Sequence, residues 1–409
     1  MTSQRTQAEM LTAAASRCRI VLRRGAGGPG GSGGLPGGLA DMPRYSRIGK
    51  GNLTMVTVAR RSATLAMARP ASHSDWHHLY ERDPTATLTQ SPVWMTALTE
   101  FTRWRDASRY YEMADGRRYV LPLAVRRPTQ ATAIYASMPA GWGMGGVVGS
   151  HPLRDQDAAA IMADLGNLRA TSIRLLPNPL RGDRWRSGAP TSTFSVARYS
   201  HVLDLEGGFD VVRSDRFRRT ARKMSNRAMR AGLDIERDTT GRLIPVYREL
   251  FRQSVDRWAA RSREPLWMAR VRAAREDPPG KLEHLATTLG GELVTWVAWY
   301  RGEPAATDIT LGGRSVFAWR AAMHVELGPA TNAAYLLQHR TIEDACERGA
   351  RYYYLGESGS SAGSAMFKER FGAVGHEYPE IRIETVPFTP ASQLARRFVK
   401  QLIGFNSNA

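Results

Sequence analysis

Only five of the 57 basic residues are lysines (Lys50, Lys223, Lys281, Lys368 and Lys400), so a lysine inside a patterned segment is informative. Lys368 stands in Phe367-Lys368-Glu369-Arg370-Phe371-Gly372, shortly after a strand-like run that ends Leu355-Gly356-Glu357-Ser358. Two carboxylates share this part of the chain: Glu357 at the strand end, and Asp308 mid-strand among apolar neighbours. Burial of either would raise its pKa and make it a base, and each reads equally well as a satisfied structural group. Tyr352-Tyr353-Tyr354 alternates faces of its strand, so one or two of the three face a cleft at most. Tyr353 is the candidate for substrate contact, with core packing as the other reading. In Gly141-Trp142-Gly143-Met144-Gly145-Gly146 the glycines permit close approach of a ligand and Trp142 could stack on a sugar or base, although a plain hairpin tip has the same composition. His151, His284, His324 and His339 show neither metal spacing nor a nucleophile partner, and no Gly-x-Ser-x-Gly elbow occurs. No metal is expected.

The charge balance sharpens these choices. The 409 residues carry 57 Lys+Arg against 38 Asp+Glu, a net +19, and are 42% hydrophobic. Residues 1–70 hold a surplus of nine positive charges and residues 213–230 a surplus of seven, so the remainder is nearly balanced. A DNA-binding protein needs a broader basic face on its folded body, so no DNA partner is expected. Nine of the fourteen residues from Gly25 to Gly38 are glycine, and such a segment cannot bury enough surface to offset its ordering entropy. Residues 1–70 therefore read as a disordered Gly/Arg-rich leader, either a flexible tail or sequence upstream of a working start at Met42 or Met55. Two cysteines, Cys18 and Cys346, exclude a disulfide framework. No run of about 18 apolar residues is present, and a cytoplasmic location is expected.

The elements that would position these groups run in the same order twice. The first half, residues 71–205, has a helix at Ser91–Trp104 with Ser91 as cap, a hairpin Ala107–Ala114 and Arg117–Val125 turning on Asp115-Gly116, a helix near Asp155–Leu168 and a strand near Ser172–Leu176. The second half, residues 206–388, has a helix at Leu243–Ala260, a hairpin Leu285–Leu289 and Glu292–Tyr300 turning on Gly290-Gly291, and strands Ala305–Leu311 and Ser315–Arg320. A helix at Asn332–Arg348 and the strand Arg351–Leu355 complete it, the last strand being parallel to a neighbour. The fold class is α+β or mixed α/β. Between the halves, Phe217, Ala221, Met224 and Ala228 make an apolar stripe beside a basic face of Arg216, Arg219, Lys223, Arg227 and Arg230, with Ser214 and Gly232 as caps. That face is either solvated or turned toward the phosphates of a substrate. Residues 389–409 form a C-terminal tail whose stretch Ser392–Phe405 is amphipathic, fit for docking or for peripheral membrane contact.

Gly328-Pro329-Ala330-Thr331-Asn332, the run Arg351 to Gly359 and Phe-Lys-x-x-Phe-Gly at 367–372 together resemble the GNAT superfamily of acyltransferases, in particular its Fem-like and CelD-like branch. The basic helix Arg216–Gly232 resembles that branch's Arg-rich segment, and Ser91-Pro92-x-Trp94 resembles the opening of its first half. The resemblance implies two tandem GNAT-like units, each a mostly antiparallel sheet flanked by helices, the first on the acceptor side and the second on the donor side. It implies that Lys368 lies beside the reacting carbonyl and stabilises the oxyanion. It implies that Gly328, Ala330, Thr331 and Asn332 cradle the coenzyme A pyrophosphate, a plain helix cap being the alternative. Phe367 and Phe371 anchor the segment at i, i+4, with Phe367 also on the substrate side.

The function expected is N-acyl transfer from acetyl-CoA or another acyl-CoA to an amine of a small or lipid-linked acceptor, a cell-envelope or sugar-linked precursor. Glu357 or Asp308 would serve as base, and Arg216, Arg219, Lys223, Trp142 and Tyr353 would contact substrate. Two alternatives stand beside it. One is a peptidoglycan-bridge ligase fed by aminoacyl-tRNA, against which the lack of a coiled-coil pair in 233–280 tells mildly. The other is a non-catalytic module for an anionic ligand.

Overall fold

The first helix boundary shows how locally the elements are fixed. Ser91 Oγ accepts from the Trp94 N–H at 3.2 Å, and Pro92 takes the first helical position, where its missing N–H costs nothing. The computed structural model describes residues 65–129, 132–186, 193–359 and 361–385. The leader as far as residue 64 and the amphipathic tail 389–409 lie outside the described residues.

In chain order the first half holds β1 (Leu65–Pro70), α1 (His73–Glu81), α2 (Pro92–Phe101), β2 (Arg105–Asp106), β3 (Arg109–Met113), β4 (Arg118–Leu121), β5 (Ala124–Thr129), β6 (Thr132–Ala136), β7 (Val148–Gly149), α3 (Asp155–Gly166) and β8 (Ser172–Leu175). The first half closes on β9 (Thr193–Asp204), and the second holds α4 (Arg219–Arg230), β10 (Leu233–Asp238), α5 (Ile244–Ser262), α6 (Leu266–Glu276) and α7 (Lys281–Leu289). After these come β11 (Leu293–Tyr300), β12 (Glu303–Leu311), β13 (Val316–Met323), α8 (Ala333–Glu347), β14 (Tyr352–Glu357), α9 (Ala362–Arg370) and β15 (Val374–Glu384). The fold is mixed α/β, with mostly antiparallel sheets flanked by helices.

Each half contains one parallel pair joined through a helix: β6 with β8 around α3, and β13 with β14 around α8. The halves are nonetheless fused. A small sheet has the order β1-β3-β4-β7, while an eleven-stranded sheet runs β10-β11-β12-β13-β14-β9-β15-β8-β6-β5-β2 through both. β9 and β15 make the joint, because β9 pairs with β14 on one side and β15 on the other, and β15 pairs with β8. Residues 65–70, read as leader from composition, pair with β3 through main-chain groups that ignore side-chain character.

The hairpin expected at Leu285–Leu289 is instead the end of helix α7. Leu282, Leu285, Ala286 and Leu289 recur at helical spacing and are all buried, and Gly280 and Gly290 bound the helix with positive φ. The true hairpin lies downstream, where Arg301 and Gly302, at φ 52° and 81°, form the two-residue turn between β11 and β12. The basic helix also begins later than expected. Val212–Arg216 forms a wide π-type turn with Ser214 inside it, and regular α4 starts at Arg219.

Candidate active site

Parallel strands β13 and β14 pair at Val316 with Tyr353 and at Phe317 with Tyr354, and then part. Beyond that point neither facing edge has a ladder partner, so a gap opens between Ala318 onward and Leu355 onward. Gly356 stands at its mouth with φ 72°, a left-handed conformation that favours glycine, and a Cβ there would meet Phe317 Cε2 at 3.5 Å.

Lys368, on α9, is carried to this spot. Ser361 Oγ caps the helix by accepting from the Ser364 N–H, and Phe371, fully buried, fixes its far end. Phe371 meets Phe217 edge-on at 5.0 Å and Phe367 at 5.3 Å, while Phe367 leans on Tyr335 at 4.9 Å. These rings hold the motif in place, and Phe367, half-buried among them, belongs to the packing. The Lys368 ammonium donates to the Gly356 and Glu357 carbonyls, both at 2.8 Å, and is nearly covered. Burial lowers its pKa to about 8, against the opposing pull of Glu357.

One more group lies beside it that sequence inspection missed. His201, from β9, is completely buried with Nδ1 3.1 Å from Ser358 Oγ, and its Nε2 lies 3.9 Å from Glu369. Burial and then the Lys368 charge push the imidazole below its ordinary pKa, so it is neutral at pH 7. Nothing near His201 in sequence advertises it; a twelve-residue strand brings it in.

Glu357 goes elsewhere. It pairs with Ser200 while Gly356 pairs with His201, so the Glu357 and His201 side chains leave the sheet on opposite faces. There the Glu357 carboxylate accepts from Tyr378 Oη at 2.7 Å and Arg198 Nη1 at 3.2 Å. Arg198 in turn binds Glu380, which is fully buried and shared with Arg174 and Arg382. Burial opposes the charge on Glu380, but the arginine hydrogen bonds prevail and hold its pKa at about 2. Arg174 belongs to β8, so this network ties the first half to the rim of the gap.

The remaining sequence candidates disperse. Asp308 is on β12, paired with Ala321 in the stretch of β13 that has already parted from β14. Desolvation alone raises its pKa to about 7, and no cation compensates it. Because the folded carboxyl holds its proton up to about pH 7 and the unfolded one loses it near 3.8, stability falls as pH rises through that window. Asp308→Asn should remove that fall, read as a thermal midpoint that gains on wild type at pH 8 but not at pH 4.

Tyr353 is fully buried and donates to Thr341 Oγ1 at 2.8 Å, so it packs under α8 rather than facing substrate. Trp142 is likewise in the core, edge-on to Trp94 at 5.9 Å, with the Lys281 ammonium 4.8 Å above its ring. Arg216 turns inward to the Asp204 and Glu206 carbonyls. Arg219 and Lys223 are exposed, in one stripe with Arg227 and Arg230, and none of the four has an acid partner among the described residues. Gly328, Ala330 and Thr331 lie in a one-turn helix, Leu327–Thr331, ended by Asn332 at φ 58°. The N–H groups of Glu326 and Leu327 donate to His324 Nδ1, those of Gly328 and Ala330 to the His324 and Glu326 carbonyls, and Thr331 Oγ1 to the Leu327 carbonyl. These N–H groups of the one-turn helix are satisfied internally. Among the described residues, no group of three or more His, Cys, Asp or Glu side chains could hold a metal ion.

The strand pair that parts, the helix between its strands and the buried lysine beyond them all fall in one stretch of sequence, and the family model described as acetyltransferase (GNAT) domain matches residues 215–369. This segment is a GNAT domain. Its chemistry is acyl transfer, so the GNAT domain makes the protein an acyltransferase. The curated proteins include none that matches the chain by sequence. Among solved structures, FemX is similar over 80% of this chain and 99% of its own, at 14% identity and a TM-score of 0.48. A tandem GNAT protein from the clavulanic acid biosynthesis pathway is similar over 78% of this chain and 99% of its own, at 14% identity and 0.43. L-PGS from Bacillus licheniformis is similar over 83% and 99%, at 12% identity and 0.43. All three likenesses are loose. No described helix of the protein is long and apolar enough to cross a membrane.

Proposed function

We propose that the protein is an N-acyltransferase that moves an acetyl or other acyl group from acyl-CoA to an amine of a cell-envelope or sugar-linked precursor. The observation that carries this reading is the buried ammonium of Lys368 at the mouth of the β13–β14 gap. Two of its N–H groups are held by strand carbonyls, which leaves one donor and the full charge for a carbonyl oxygen turning into an oxyanion. The facing strand edges offer ladder hydrogen bonds to an extended, amide-bearing chain, which is what the arm of an acyl-CoA is. The attacking amine must lose a proton. His201 suits this step in the tautomer with hydrogen on Nε2, taking the proton at Nδ1 through the Ser358 hydroxyl. Glu357 is the weaker base, because both of its oxygens already accept hydrogen bonds.

One observation favours a second donor. The exposed stripe Arg219, Lys223, Arg227 and Arg230 on α4 fits a phosphate backbone, as an aminoacyl-tRNA would present. Calorimetric titration of the full chain with acetyl-CoA and, separately, with charged tRNA decides between them. Saturable binding of acetyl-CoA is expected. Binding of the tRNA alone would transfer the assignment to the second donor, and binding of neither would sink both.

A further inference from the structure

The α5–α6 hairpin buries Ile244, Tyr247 and Leu250 in the main core, but near its turn the pattern inverts. There the space between the helices is filled by Val255, Ala259 and Ala269, with Phe251 and Ala273 beside them, while large apolar residues face outward. Trp267 is 68% exposed, Trp258 45%, Val271 43% and Leu266 40%. All four lie near the turn: Trp258 is within about a turn of the α5 end, and Leu266 and Trp267 open α6. Trp267 and Val271, at i, i+4, share one helical face.

The same tip is basic. Arg257-Trp258-Ala259-Ala260-Arg261-Ser262-Arg263 contains three arginines and no acid, and none of the three forms an ion pair among the described residues. The nearby charges are already matched: Asp256 is held by Arg252 and Arg270, and Glu264 by Arg272. Exposed indoles ringed by unmatched arginines suit the boundary between anionic headgroups and acyl chains, where indole rings are most favourably placed and each arginine gains from the surface potential. We propose that this hairpin tip docks the protein onto an anionic lipid bilayer, with Trp258, Leu266, Trp267 and Val271 entering the interface and Arg257, Arg261 and Arg263 meeting the headgroups. Docking of this kind holds whichever donor the GNAT domain uses, and its test reads binding rather than acyl transfer.

The test is co-sedimentation of the full chain with phosphatidylcholine vesicles, with and without phosphatidylglycerol. Strong partitioning is expected only with the anionic lipid. Trp258→Ser with Trp267→Ser should cut it tenfold or more. Arg257→Gln, Arg261→Gln and Arg263→Gln should each cut it about fivefold. Circular dichroism and thermal unfolding establish that each variant is folded. Failure of the wild type to bind, or unchanged binding in the tryptophan variant, overturns the proposal. So does an effect of the tip substitutions on single-stranded RNA mobility or on self-association by sedimentation velocity instead of on vesicles.

Discussion

Lys368→Ala should lower kcat/KM by about 10²–10³-fold, the effect of deleting one oxyanion donor, which is about 3–4 kcal/mol of transition-state stabilisation. The loss should fall on kcat, since a charge aimed at the developing oxyanion does little for the ground-state donor. A pH profile separates this role from a purely structural one. The lysine pKa sits at about 8, so its charged fraction declines above that value and the wild-type rate should decline with it. Lys368→Arg keeps the charge at every accessible pH and should lose that descending limb. It should also be slower at pH 7, because a planar guanidinium cannot reproduce the two bonds to Gly356 and Glu357. An Ala variant with wild-type kcat/KM would rule out Lys368 as the oxyanion donor.

The largest stability effect is expected at the other buried lysine. Lys281 is fully covered and donates to the Gly141 carbonyl at 2.6 Å, the Glu276 carbonyl at 2.7 Å and Asp277 at 3.1 Å, between the rings of Trp142 and Trp319. Gly141 permits this approach because a Cβ there would lie 2.8 Å from the Glu276 carbonyl. The lysine thus ties the glycine loop of the first half to α7 of the second. Lys281→Ala leaves a cavity under two tryptophans and acceptors short of a donor, and should cost about 4 kcal/mol in urea unfolding. Lys281→Met restores most of the volume and should cost about 2 kcal/mol, isolating the polar part. Burial lowers the pKa of Lys281 from 10.5 to about 8, with Asp277 pulling the other way. Between those values the unfolded chain binds more protons than the folded one, so this group makes wild-type stability rise with pH, and both variants should lack that rise.

Much of the fold was legible. Ser91-Pro92 gave a helix start, the run from Asn332 gave α8, and Phe367 and Phe371 marked a helix whose rings pack inward. The apolar stripe Phe217, Ala221, Met224 and Ala228 was also legible, although the π-type turn ahead of Arg219 was not. Helix α7 was misread because Gly290-Gly291 resembles a hairpin turn, while the helical recurrence of Leu282, Leu285, Ala286 and Leu289 outweighs it. β9 and β15 were overlooked, and with them His201, Arg198, Tyr378 and Glu380.

Sequence alone determined the GNAT motif, the rarity that singles out Lys368, and the order of strand, helix and parallel strand that opens a gap beside it. These features depend on residues within a few positions of each other, where caps, turns and periodicity act. Tertiary structure decided which face each side chain takes. Trp142 went to the core and Glu357 to the arginine network because partners from more than a hundred residues away, Lys281 and Arg198, set those directions. Tyr353 and Arg216 turned to Thr341 and to the Asp204 and Glu206 carbonyls once the folded strands and helices had brought these alongside. His201 reached Lys368 by the same route: β9 pairs with β14 across some 150 residues of chain, a distance no local pattern encodes.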